Sequence, residues 1–78
     1  MLLDIITPDS KLFSGEVTSV ILPGIDGELG VLNNHAPLIT SLKNGEISII
    51  KESGEKESFK TNGGIVEVLN NKVIVLAE

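Results

Sequence analysis

A chain of 78 residues and 8.3 kDa is one domain, and without Cys it has no disulfide or thiolate-bound metal to reinforce a small core. Eleven acids against six bases, all Lys, give a net charge of −5. The absence of Arg, Tyr and Trp argues against nucleic acid as a partner, and a single His excludes a histidine-cluster metal site. No apolar run approaches the length of a membrane span, and no basic segment precedes an apolar one at the N-terminus, so neither a membrane-spanning segment nor a secretory leader is expected.

The core has to be aliphatic. Ten Ile, ten Leu and seven Val dominate the apolar 41% of the chain, with only Phe13 and Phe59 as aromatics. In chain order, Leu2–Thr7 reads as a strand stopped by Pro8-Asp9. Val17–Leu22 is a second strand, entered through Ser14-Gly15 and stopped by Pro23-Gly24. Gly27–Leu32 is a short third one. Further on, Asn44-Gly45, Ser53-Gly54, Asn62-Gly63 and Asn70-Asn71 recur at spacings of nine, nine and eight residues. Asn and Gly accept the positive φ of tight hairpins. Between these pairs the residues alternate, as in Ile47 and Ile49 against Glu46 and Ser48. The spacing predicts an antiparallel meander of four or five short strands over residues 38–76. No stretch carries a capped helical stripe, and Val, Ile and Thr make up 21 of the 78 residues. The expected fold is an all-β sandwich or flattened barrel, a single domain over residues 1–78.

Two strands break the inside–outside rule. Leu2 and Ile6 lie opposite Leu3 and Ile5, and Val73 and Val75 lie opposite Ile74 and Leu76. A water-facing side should be polar. In a chain with little left over to cover a second face, a partner protein is the expected occupant.

Reactive chemistry is sparse. The run Gly24-Ile25-Asp26-Gly27-Glu28-Leu29-Gly30 has the wrong spacing for a dinucleotide loop and lacks the Lys and Ser or Thr of a phosphate loop. It reads as turns or bulges between strands. Asp26 and Glu28 lack the further oxygen ligands of a calcium loop. His35 has neither a serine elbow nor an orienting carboxylate near it in sequence, and the segment Asn33–Pro37 reads as an exposed loop. Glu52, Glu55 and Glu57 with Lys51, Lys56 and Lys60 read as a solvated hairpin tip that blocks edge pairing. Two classes of function remain: a protein-interaction module, or a small enzyme or ligand carrier for which no aromatic-walled pocket is in sight.

Several strings then line up in register. They are Phe13-Ser14-Gly15-x-Val17, Gly27-Glu28-Leu29-Gly30-Val31-Leu32-x-x-His35-Ala36-Pro37-Leu38, Gly63-Gly64-Ile65-Val66-Glu67-Val68 and Asn71-x-Val73-x-Val75-Leu76-Ala77. From about Leu3 to the end, the chain resembles the N-terminal domain of the epsilon subunit of bacterial F-type ATP synthases, counterpart of the mitochondrial delta subunit. The resemblance implies a sandwich of two five-stranded, mostly antiparallel sheets. It also implies a non-catalytic rotor part of the central stalk, bound to the gamma subunit and the membrane c-ring and coupling ion-driven rotation to ATP synthesis. No cofactor, metal, nucleic acid or small-molecule substrate is implied, and the location is peripheral, at the cytoplasmic face of the bacterial plasma membrane. The resemblance also implies that the loop matching Gly27–His35 faces the c-ring; carried over by position, Glu28, Leu29, Asn33, Asn34 and His35 are expected at that contact, with Glu28 and His35 foremost. Most members continue into a two-helix domain that inhibits ATP hydrolysis and in some binds ATP. This chain stops at Glu78, so neither property transfers. The competing expectation is a free-standing β-sandwich adaptor.

Overall fold

The computed structural model describes every residue from Met1 to Glu78 and contains strands and turns only. Six strands follow one another: β1 (Leu2–Ile6), β2 (Lys11–Gly24), β3 (Gly27–Leu32), β4 (Leu38–Lys51), β5 (Lys56–Leu69) and β6 (Lys72–Ala77). They pair in the order β1-β6-β5-β4-β2-β3, and β1 also pairs with β2. That last pairing closes five strands into a barrel, with β3 as a sixth strand on the far part of β2. All pairings are antiparallel except β1 with β6. The all-β expectation holds, and because β2, β4 and β5 are each 14 residues long, each serves both layers of the flattened barrel.

The core is built by alternation with deliberate breaks. Leu3 and Ile5 of β1 and Val73, Val75 and Ala77 of β6 point inward at every second position. On β2, however, Val17 and Val20 are both buried at an odd spacing, and the register with β4 slips between Val17 and Ser19. A bulge of this kind inserts one residue and returns the apolar set to the same face. β4 buries Leu42 and then Ile47, and β5 buries Thr61 and Gly63 and then Val66. Both odd spacings fall at one level, because Asn44 pairs with Asn62 and Gly45 with Thr61.

Glycine permits this break. Gly63 and Gly64 have φ of 122° and 137°, and the buried Thr61 hydroxyl donates to the Gly63 carbonyl (2.6 Å) and accepts from its N–H (3.1 Å). A Cβ on Gly45 would meet Pro23 Cβ at 2.8 Å. Asn44-Gly45 and Asn62-Gly63 are therefore not the turns expected from the sequence. They are a paired bend inside two long strands, so residues 38–76 contain three strands rather than four or five. The other two signals are turns. Asn70 and Asn71, at φ of 52° and 60°, join β5 to β6, and Gly54, at φ of 94°, lies in the β4–β5 hairpin.

A methyl group at Gly64 would collide with the Leu76 carbonyl oxygen while forcing Ala into positive φ. Gly64→Ala should therefore cost about 2–3 kcal/mol or more in urea unfolding. Gly30→Ala, with open space around it and an ordinary φ, should stay within about 1 kcal/mol of the parent.

Candidate interaction surface

β3 carries the residues singled out in the sequence, and it separates them. Ile25 and Asp26 form the turn between β2 and β3, with Gly24 and Gly27 as the closing pair. Glu28 is exposed beside Pro23, and Leu29 is half-buried against the core. At the other end of β3, Asn33 and Asn34 tie down neighbouring segments. Asn33 Oδ1 accepts from the Met1 amine (2.7 Å), and the Asn34 N–H donates to Asn71 Oδ1 (2.7 Å). The Nδ1–H of His35 donates to the Ala36 carbonyl (2.7 Å), and its backbone N–H donates to the Leu32 carbonyl (3.2 Å). Four residue steps separate Glu28 from Leu32, about 13 Å of strand. The segment Gly27–His35 is thus a strand with a different contact at each end, not one loop.

No hydroxyl or carboxylate reaches the His35 ring, whose bond is to a carbonyl. No three His, Asp or Glu side chains gather at one point. The charged hairpin orders itself: Lys51 Nζ lies 2.8 Å from Glu57 Oε1, 3.5 Å from Glu55 Oε1 and 5.8 Å from the centre of the Phe13 ring. The hydrogen bond to Glu57 holds the Lys51 pKa above its ordinary value. No helix in the structure is long and apolar enough to cross a membrane.

The largest chemical feature is the outer face of β4, β5, β6 and β1. Ile39 (69% exposed), Ile65 (47%), Leu69 (48%) and Leu76 (52%) lie there in open water, with Leu2, Ile6 and Ile74 half-covered beside them. Cross-strand register makes them continuous: Ser41, Ile65, Leu76 and Ile6 form one row, and Ile39, Glu67, Ile74 and Asp4 the next. Ile6, Pro8, Gly64, Ile65 and Leu76 line a shallow depression of about 410 Å³ at its edge. This is the doubly apolar character seen in the sequences of β1 and β6. The sequence signal for β4 and β5 was weaker, since Ile39 and Ile65 stand alone among polar neighbours and only register joins them to the rest.

These features define a small closed β-barrel whose main surface asset is an aliphatic face rather than a set of reactive groups. Residues 1–78 match the family described as "ATP synthase, Delta/Epsilon chain, beta-sandwich domain". The chain belongs to that family. It is 47% identical over 76 residues to the ATP synthase epsilon chain of Chlorobium limicola, an alignment spanning 97% of this chain and 86% of the relative. It is 46% identical over 74 residues to the epsilon chain of Dichelobacter nodosus (strain VCS1703A), covering 95% of itself and about half (52%) of that protein. Its backbone superposes with a TM-score of 0.92 on a chain of the Euglena gracilis mitochondrial ATP synthase structure (OSCP/F1/c-ring, rotational state 1), at 24% identity, over 99% of this chain and 49% of that one. A chain of the Tetrahymena thermophila mitochondrial ATP synthase central stalk/c-ring structure gives 0.81 at 20% identity, over 99% and 62%. At those identities the two structures speak for the fold.

Side chains on the outer face should be dispensable for folding. Leu76→Ser and Ile39→Ser are expected to stay within about 1 kcal/mol of the parent in chemical denaturation. Val75→Ser, one residue from Leu76 and fully buried, should cost about 2–4 kcal/mol.

Proposed function

We propose that this chain is a non-catalytic rotor subunit of the central stalk of an F-type ATP synthase, joining the gamma subunit to the membrane c-ring. The reading rests on the family match and on the epsilon-chain relatives in two bacteria. The structural observation that carries it is the largely aliphatic face of β4, β5, β6 and β1, which nothing within residues 1–78 covers. Such a face is suited to a stable protein contact. We assign it to gamma. A closed barrel with 48 backbone–backbone hydrogen bonds has few soft directions, which suits a part that transmits torque. The proposed location is peripheral, at the cytoplasmic face of the bacterial membrane, with attachment through the complex.

We place the ring contact at the β2–β3 hairpin end. Glu28 is exposed there, beside Asp26 and the Lys43–Asn44 stretch that shares its groove. Leu29 anchors the strand that presents Glu28 by packing on the core. Asn33, Asn34 and His35 form a second contact region at the other end of β3, and one small polar loop of the ring would have to span the strand to meet both. Over residues 1–78 the reading includes no nucleotide site and no inhibitory helices.

Recovery of the chain with gamma and c subunits from detergent-solubilised membranes would support the reading. Recovery alone, or with soluble partners, would favour a free-standing adaptor. An exposed ion pair is worth at most about 1 kcal/mol, so Glu28→Gln should weaken ring attachment by up to about fivefold without changing folding. Cysteine at position 28 should form a disulfide under mild oxidation with a second cysteine placed in the c-ring polar loop, whereas cysteine at Ser53, on the β4–β5 tip, should not. The reverse pattern would invert the placement. Calorimetry with millimolar ATP should show no stoichiometric heat from the 78-residue chain.

A further inference from the structure

Asp4 is an anomaly in the aliphatic face. It sits on the outward side of β1, between Leu2 and Ile6 along the strand, with Ile74 of β6 opposite on one side and Ser14 of β2 on the other. Its Oδ1 is buried and has no hydrogen-bond partner. A carboxylate oxygen shielded from water without a donor destabilises the fold that holds it. The chain supplies no cation for it. Its three ion pairs join the Met1 amine to Glu16 and Lys51 to Glu55 and Glu57. Lys72 of β6 and Lys11 of β2, the cross-strand partners of Leu2 and Ile6, lie diagonal to Asp4 on either side of β1, and neither forms an ion pair with it. Glu67 stands beyond Ile74, two strands and about 10 Å from Asp4, and adds negative charge to the same row. The middle row of the face thus carries two acids, Glu67 and Asp4, between rows that are mainly aliphatic.

We infer that the surface docking here brings a Lys or Arg side chain onto Asp4, within a patch that is mainly aliphatic. Docking would remove the remaining water, and a pair formed in that dry setting is much stronger than one on an open surface. Asp4 is then a specificity element: an apolar surface without the cation would leave the carboxylate buried and unpaired, and would be rejected. The inference deepens the proposed gamma contact and rests on it.

The test compares the parent chain with Asp4→Asn and Asp9→Asn for binding to the isolated gamma subunit of the same synthase, with thermal unfolding of each chain alone. Asn keeps the shape of Asp and removes the charge. Asp9 lies in the exposed β1–β2 turn and controls for net charge. The expected result is a loss of at least tenfold in affinity for Asp4→Asn, little change for Asp9→Asn, and a melting temperature for Asp4→Asn equal to or above the parent's. Equal gamma binding by the parent and Asp4→Asn overturns the inference and leaves the gamma assignment standing. A similar loss with Asp9→Asn overturns it in favour of general electrostatic attraction. A melting temperature lowered by several degrees in Asp4→Asn overturns it in favour of an internal role. A parent chain that binds no gamma overturns the gamma assignment itself, and the inference with it.

Discussion

Everything in this domain depends on one short strand having two partners. β1 is five residues long, yet it pairs antiparallel with β2 and parallel with β6. That double pairing turns a curved sheet into a barrel. It satisfies the backbone groups of β1 on both edges and places Leu3 and Ile5, fully buried, against the inward residues of β2 and β6. A parallel pairing normally needs a long crossover. Here the whole chain between β1 and β6 serves as that crossover, so closure joins the two ends of the sequence and is non-local.

Closure also decides what remains for the outside. Long strands that serve both layers use up residues 1–78, and no helix or loop among them lies over β4, β5, β6 and β1. Most of their outward side chains are apolar all the same, which is opposite to the usual pattern of an antiparallel sheet open to water. The remaining open edges differ in character. The outer edge of β5 carries Lys56, Ser58 and Lys60 with the ordered Lys51–Glu57 pair nearby, a polar arrangement that resists strand addition. One side of the domain is thus protected against sticking, and another is left prepared for it.

The sequence was a good guide wherever structure follows from neighbours in the chain. Pro8-Asp9, Pro23-Gly24 and Asn70-Asn71 end strands or turn them, because restricted and positive φ values are local properties. Gly27–Leu32 was legible as a strand for the same reason. Asn44-Gly45 and Asn62-Gly63 misled, although the same chemistry is at work: they mark unusual backbone, but here the use is a bend shared by two paired strands. Only the pairing of Asn44 with Asn62 distinguishes a bend from a turn, and that pairing spans 18 residues. In the candidate site, Glu28 and His35 looked like members of one loop because seven positions separate them. An extended strand puts that separation to a different use, holding them at opposite ends.

Composition and local pattern by themselves determined that this protein is all-β, aliphatic in its core and poor in reactive chemistry, and the register of its motifs determined its family. Those are properties of residue types and short spacings, which survive any arrangement of the strands. The tertiary structure alone decided which apolar residues share a face and that Asp4 lies within it. Leu2, Asp4, Ile39, Ile65, Glu67 and Leu76 come from four strands spread across the chain, and hydrogen-bonded register brings them together. A shift of one residue in any of those ladders would turn each side chain to the other side of the sheet, and no local signal specifies that choice.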